Sequence, residues 1–493
     1  MPMLSRVAPF PLADTSRGMA PATRQAAVIV AALVVAALLQ SLVIPLDCDV
    51  SWLLTASEAV LAGKRLYIDI IEVNPPASVW LYLPMVWLAH MLAVKVEAVV
   101  VIVTLALASA STWGTARLAS GLSRPPIPLP FVAALAFVTM VFPAGLFAQR
   151  EHFALLFALP ALTAVALVAD RRQLGLGQAL LVGAAAAMVV IVKPHFALVI
   201  IPATGWAAWR SRSLSGLLTP AITAVALATS YALAVMTFAG AYLALVPMLG
   251  QLYLPMRETP LRLLLSAVLL SPVSLAVVAR ALSPRAWPTL SITLLCGSAG
   301  FVVAGLIQGK GYFNHALPGI VLALVAVIIL FGEPSLRPSF RPLLAAATLF
   351  MTASLFVQFA AVRSPPPGLA EAIELVAPPH PSIITLGTEL ATGHPATRLV
   401  EGRWVGTYAA LTAAAGARFR SGGVAPRAGT DLARWFAADL ATFCADVARE
   451  RPDLILVERA NYRWLIADAG VRRAMADYRR AAVANDIELW VRR

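Results

Sequence analysis

Apolar runs of roughly 20 residues alternate with short polar stretches along most of the chain. They fall near 26–46, 75–93, 96–116, 127–147, 153–169, 176–192, 196–209, 217–238, 262–280, 288–307, 316–331 and 342–361. This pattern predicts a polytopic α-helical membrane protein with about 11 to 13 transmembrane helices. The run 75–93 differs from the others. It opens with Pro75-Pro76, is broken by Pro84 and ends at His90, so it reads as a partial or re-entrant segment. Beyond residue 363 the pattern changes. Pro365-Pro366-Pro367 and Pro378-Pro379 mark a stiff linker. Ser382–Leu386, Asp453–Val457 and Ile487–Val491 then read as short buried strands, and Asp431–Arg449 and Tyr462–Ala484 as helices. The alternation predicts a membrane domain over 1–363 followed by a small α/β domain over 364–493.

Composition agrees with the pattern. Only 13% of the 493 residues are charged, against about 25% in a soluble chain, and mean hydropathy is +0.81. The net charge of +13 invites a nucleic-acid reading, but many basic residues sit in short loops between spans, as membrane topology requires. Asp170-Arg171-Arg172, Arg210/Arg212, Arg280/Arg285 and Arg337/Arg341 alternate with the other loops and are expected in the cytoplasm. Residues 149–152, 193–195, 239–261, 308–315 and the tail then face out. Arg6, Arg17 and Arg24 precede the first run, which is too long for a signal-peptide core and reads as an uncleaved anchor. Arg117 and Arg124 are also expected inside. An odd number of crossings must then separate them from an external loop over 46–74, and two runs intervene. Either the run 75–93 does not cross fully, which is the preferred reading, or the N-terminus lies outside. Cys48, Cys296 and Cys444 lack zinc-site spacing, and nothing in the sequence compels a Cys48–Cys444 disulfide.

The first external loop, 46–76, holds five acids: Asp47, Asp49, Glu58, Asp69 and Glu72. Asp49 is placed to cap a helix over Val50–Ala62, with Leu53, Leu54, Val60 and Leu61 on one face and Gly63 at its end. Such a helix is expected to lie along the bilayer surface. Lys64–Asp69 reads as extended, and Asn74-Pro75-Pro76 stops it.

An acid soon after the first membrane helix, an amphipathic helix, a G-x-x-Y-x-D-like element (Gly63 to Asp69) and a Pro pair resemble the first external loop of the GT-C membrane glycosyltransferases. That group includes the lipid A aminoarabinose transferases and the protein O-mannosyltransferases. Asn74 stands where the aminoarabinose transferases carry Lys. The resemblance implies a glycosyltransferase that takes its sugar from a polyprenyl-phosphate donor and passes it to a lipid, glycan or protein acceptor. It places that reaction at the external face of a bacterial inner membrane, with a periplasmic tail and no nucleic-acid partner.

Four polar clusters at the external ends of spans are the candidate chemistry, because polar groups beside a membrane are costly and tend to be functional. For the Asp47/Asp49 pair the resemblance implies a general base, Asp49 by position and Asp47 as the alternate; the bland reading is a helix cap and a solvated loop acid. In Gln149-Arg150-Glu151-His152, the resemblance implies that Glu151 orients the acceptor or binds a metal, while Arg150 suits a phosphate and His152 lies beside them. The bland reading is an Arg–Glu pair at a helix N-terminus. Lys193-Pro194-His195 offers a donor-phosphate contact, or a lysine that merely snorkels. In Gln308–Pro318, Lys310 is a compact charge suited to the donor phosphate, with Tyr312 and His315 beside it and glycines that let backbone approach a ligand; a plain turn between helices is the bland reading. Asn74 joins the substrate-binding candidates. A divalent metal through Asp49 and Glu151 is compatible with the residue types but demanded by no spacing. No nucleotide loop, nucleophile elbow or H-E-x-x-H is present. The rival reading is a transporter or lipid-linked-glycan flippase with Lys193 and Lys310 along its path. A scaffold that works through its tail would leave the acidic first loop unexplained.

Overall fold

The computed structural model describes residues 21–282, 287–332, 340–362 and 366–493. Arg6, Arg17, Arg285, Arg337, Pro365 and the expected domain boundary at 363/364 lie outside the described residues. Among the described residues, eight helices are long and apolar enough to cross a membrane. The protein is a multi-pass membrane protein with a small sheet domain at its C-terminal end.

The chain opens with α1 (Pro21–Val43), then α2 (Cys48–Leu61), α3 (Ala77–Trp80), α4 (Leu83–Leu92) and α5 (Val96–Ala119). α6 (Pro128–Ala136) runs into a π-helical turn at Phe137–Val141, and α7 (Arg150–Ala169) follows. Next come α8 (Leu176–Val192), α9 (Ala197–Ser211), α10 (Ser215–Phe238), α11 (Ala241–Leu252), α12 (Pro260–Leu264) and α13 (Ala267–Leu282). α14 (Thr289–Gln308), α15 (Phe313–Phe331) and α16 (Arg341–Ala360) complete the membrane part. α7 and α15 are its centre, with 89% of each span buried, whereas α1 and α10 lie at the rim with 6% buried. Small residues let helices cross closely there. A Cβ on Gly300 of α14 would fall 2.2 Å from the Leu198 carbonyl oxygen of α9.

The run 75–93 does not form one helix. α3 and α4 together cover Ala77–Leu92, about 24 Å at 1.5 Å per residue, against a hydrocarbon core of about 30 Å. Both flanks meet the tail: Ile71 donates its N–H to the Thr407 carbonyl, and Lys95 pairs with Glu401 at 3.0 Å. The segment therefore leaves and returns at the same end of the bundle, which removes the conflict in the charge alternation. The stretch 239–261, expected as a loop, contains α11, which packs against the tail.

The tail begins with α17 (Leu369–Val376) and β1 (Ser382–Leu386), then α18 (Ala396–Leu399), β2 (Arg403–Trp404), α19 (Thr412–Arg420), α20 (Asp431–Glu450) and β3 (Leu454–Glu458). α21 (Arg459–Leu465), α22 (Ala469–Ala474), β4 (Tyr478–Ala484) and β5 (Ile487–Arg492) close it. The strand order is β2-β1-β3-β5-β4; β1 is parallel to β2 and β3, and β5 is antiparallel to β3 and β4. The helix expected over Tyr462–Ala484 is instead two short helices and a strand. Arg479-Arg480-Ala481-Ala482 favours helix locally, but Asn485 at φ 53° makes a tight turn that pairs β4 with β5. Alternation along β3 splits the core. Ile455 and Val457 face α19–α22, while Leu454 and Leu456 join a cluster that continues into Val50, Trp52 and Leu53 of α2. One hydrophobic core thus runs from the tail into the first loop. Among the described residues, Cys48, Cys296 and Cys444 form no disulfide.

Candidate active site

α2 starts where Asp47 ends an extended segment and accepts a hydrogen bond from the Val50 N–H at 3.0 Å. Asp47, not Asp49, is the N-cap, and the helix begins two residues earlier than the expected Val50. The other Asp47 oxygen accepts from Gln149 Nε2. Asp49 lies in the first helical turn and is partly exposed. Among the described residues, none donates a hydrogen bond to its carboxylate. Burial raises the pKa of both aspartates above the usual carboxylate range; their mutual repulsion adds to this at Asp47, and nearby Arg150 opposes it at Asp49.

The rest of the loop departs from expectation. α2 is buried on all sides from Val50 to Ser57, because α3 and α4 pack against it and the tail meets it through His394 and Trp404 at Trp52 and through Arg398 at Glu58. Lys64–Asp69 is a tight turn, with Tyr67 at φ 68° and a Leu66–Ile70 bridge, and Arg65 and Asp69 form an exposed pair at 2.9 Å. Glu72 is, with Asp47, one of the loop's two buried acids. Trp52 Nε1 and Asn74 Nδ2 both donate to it, so Asn74 is spent on shaping the loop.

Glu151, in the first turn of α7, is fully buried. Its Oε1 accepts from Lys193 Nζ at 2.5 Å and from Asn314 Nδ2 at 3.4 Å, and lies 3.6 Å from His315 Nε2. The expected Arg150–Glu151 pair is replaced: Arg150 Nη1 donates to Ser78 Oγ at 3.1 Å. Lys193 is 6% exposed and does not snorkel; its ammonium also donates to Gln308 Oε1 at 3.0 Å. These contacts bring three of the four candidate clusters together. His152 stands apart. Its Nδ1 accepts from the Ala148 N–H and its Nε2 donates to the Thr139 carbonyl in the π-helical turn, so both ring nitrogens are used inside the core. Lys310 is engaged too. Its ammonium donates to the Tyr253 and Met256 carbonyls and lies 4.0 Å from the Tyr253 ring centroid, and burial lowers its pKa to about 8. Tyr312 is exposed beside it.

Five buried polar atoms in this cluster have no partner among the described residues: Gln149 Oε1, Glu151 Oε2, His195 Nε2, Gln308 Nε2 and His315 Nδ1. Each orphan costs about 1–3 kcal/mol if left dry, so water or a ligand is required to meet these atoms. The donor set does not suit a divalent metal shared by Asp49 and Glu151. The Lys193 ammonium already occupies one Glu151 oxygen and Arg150 flanks the pair, so a further cation would be repelled. Gln149, Gln308 and Glu72 were the residues that sequence left unassigned. Gln149 and Gln308 adjoin charged candidates, which was their only signal.

No family profile and no curated protein matches the chain. Among solved structures, ArnT from Cupriavidus metallidurans bound to undecaprenyl phosphate is similar with a TM-score of 0.57 at 10% identity, over 95% of this chain and 98% of that one. The fold is the GT-C fold. The oligosaccharyltransferase AglB from Archaeoglobus fulgidus, in complex with an inhibitory peptide and a dolichol-phosphate, gives a looser likeness: TM-score 0.47, 11% identity, 92% of this chain and 72% of that one. The arabinofuranosyltransferase AftD from Mycobacteria gives 0.42 at 13% identity, over 97% and 42%. At these identities the likeness is one of fold. Within this GT-C fold the polar cluster occupies the end of the bundle that the tail covers.

Proposed function

We propose that the protein is an inverting glycosyltransferase that moves a sugar from a polyprenyl-phosphate carrier to a lipid, glycan or protein acceptor. Asp49 takes the proton of the acceptor hydroxyl as its oxygen attacks the anomeric carbon; the bond from that carbon to the phosphate oxygen breaks, and polyprenyl phosphate leaves. The observation that carries this reading is the contrast between the two aspartates: Asp47 is consumed by its cap and by Gln149, whereas Asp49 is unbonded and partly open beside Arg150, Glu151 and Lys193. Glu151 holds Lys193 in place, His195 and His315 border the donor, and exposed Tyr312 lies where an acceptor enters.

The reaction would face the periplasm of a bacterial inner membrane. Arg117, Arg124, Arg171, Arg172, Arg210 and Arg280 fall at or near the opposite ends of their helices, as expected of the cytoplasmic side. The membrane domain would end at residue 363 and the periplasmic domain begin at 364.

The test is Asp49→Asn, assayed for transfer from a labelled polyprenyl-phosphate sugar in proteoliposomes. The amide keeps the side chain's size and cannot accept a proton at neutral pH. Turnover should fall about a hundred- to ten-thousandfold with donor binding retained. Asp47→Asn should do much less, since Asn still caps α2. Near-normal turnover in Asp49→Asn would remove Asp49 from the chemistry.

A further inference from the structure

Of the five orphan atoms, Gln308 Nε2 has a fixed hydrogen-bonding sense. An ammonium only donates, so the Lys193 contact at 3.0 Å assigns the facing Gln308 atom as oxygen and leaves the amide nitrogen to donate. The two histidine nitrogens can play either part, and the Gln149 and Glu151 orphans are oxygens that accept. Gln308 is therefore built to meet an oxygen that accepts.

The surroundings say which oxygen. Gln308 is the last residue of α14, and Gly309 at φ 69° turns the chain directly after it. Arg257 Nη2 donates to the Leu306 and Ile307 carbonyls, Lys193 touches Gln308 itself, and Lys310 lies two residues on. Against these three cations stand Glu151, bonded to Lys193, and Asp49, which neighbouring Arg150 offsets; the nearby Glu258 is paired with Arg262 at 3.3 Å. A surplus of positive charge around a fixed neutral donor suits an anion whose oxygens only accept. Lys310, which the sequence offers for this purpose, has two of its three N–H groups on backbone carbonyls.

We propose that Gln308 binds the phosphate of the lipid-linked donor, its amide nitrogen donating to a non-bridging phosphate oxygen while Lys193 fixes the carboxamide's orientation. This rests on the glycosyltransferase reading above and adds a phosphate-binding residue that reading does not name. Lys310 then acts on the loop 253–257 rather than on the donor.

The experiment measures binding of sugar-free polyprenyl phosphate to the full-length protein in nanodiscs, alongside KM and kcat for the sugar-bearing donor. The variants are Gln308→Met, which loses the donor group, and Gln308→Glu, which keeps an oxygen for Lys193 but turns the donor into an anionic acceptor. Met should weaken polyprenyl-phosphate binding about ten- to a hundredfold and Glu should weaken it more, with KM rising in step. If Gln308 only seats Lys193, Glu becomes the milder variant, and that order overturns the proposal. Weakening confined to the sugar-bearing donor also overturns it, because the contact would then be to a sugar hydroxyl. Should Met fail to fold, Glu alone decides: wild-type affinity for polyprenyl phosphate sinks the assignment. A wild-type protein that neither binds polyprenyl phosphate nor transfers sugar would instead sink the glycosyltransferase reading itself.

Discussion

Asp47 and Asp49 are two positions apart, and their neighbours give them different work. A carboxylate that caps a helix and accepts from Gln149 has its lone pairs committed; one without such bonds keeps them for a substrate. Asp49 as a base must be ionised, so activity is lost as pH falls through its pKa. Burial raises that pKa and Arg150 holds it down, so the acid limb of kcat/KM should lie above the ordinary value of about 3.9. Arg150→Gln removes the opposing charge and should move that limb to still higher pH, besides lowering the maximum rate. An unmoved limb would mean that the titrating group is not Asp49. The acidic pair was legible in the sequence, but the division of labour was not. Helix propensity does not say which of two acids starts a helix, and the deciding partner, Gln149, lies about a hundred residues away. For the same reason Lys310 reads as a phosphate ligand in sequence, because the carbonyls that engage it belong to residues more than fifty positions earlier.

At the scale of elements, the apolar runs located nearly every membrane helix, since period and length are local properties. What they could not show was how one weak run behaves. Pro84 and the short extent of α3 and α4 suggested a segment that does not cross, and the contacts of both flanks with the tail account for it. In a background with Cys48, Cys296 and Cys444 replaced by Ser, impermeant thiol reagents should label Lys64→Cys, Val94→Cys and Arg420→Cys from one side of the membrane. They should label Arg171→Cys only from the other. Labelling of Lys64→Cys and Val94→Cys from opposite sides would make Ala77–Leu92 a true span. The strand β4 was missed for a related reason: its alanines and arginines favour helix locally, and only the pairing with β5 overrides them.

On the scale of the whole molecule, one side chain ties the tail to two helices of the membrane part at once. Arg398 of α18 is forked onto Glu58 of α2, with N–O distances of 2.7 and 3.0 Å, and its Nε donates to Glu97 of α5 at 2.6 Å. Trp52, fully buried His394 and Trp404 stack beside it, with ring centroids 4.7–6.1 Å apart. Arg398→Ala leaves two half-buried carboxylates unpaired, at a cost of about 1–3 kcal/mol in tail docking. It should lower transfer several-fold although no atom of Arg398 belongs to the reacting cluster. Arg398→Lys should restore little, because an ammonium cannot reproduce the fork. Wild-type turnover in Arg398→Ala would separate the tail from the reaction.

Arg398 also makes the two halves thermodynamically reciprocal. The helix it grips is the one that begins at Asp47 and Asp49, so the seating of the tail and the setting of the turn proposed to carry the base are coupled. Whatever free energy the seated tail lends to a lipid donor, the donor must return to the tail. Polyprenyl phosphate should therefore slow hydrogen exchange along β1 and α18, far from any lipid, and should cease to do so in Arg398→Ala. In that sense the covering domain is a gauge of whether the membrane site is filled.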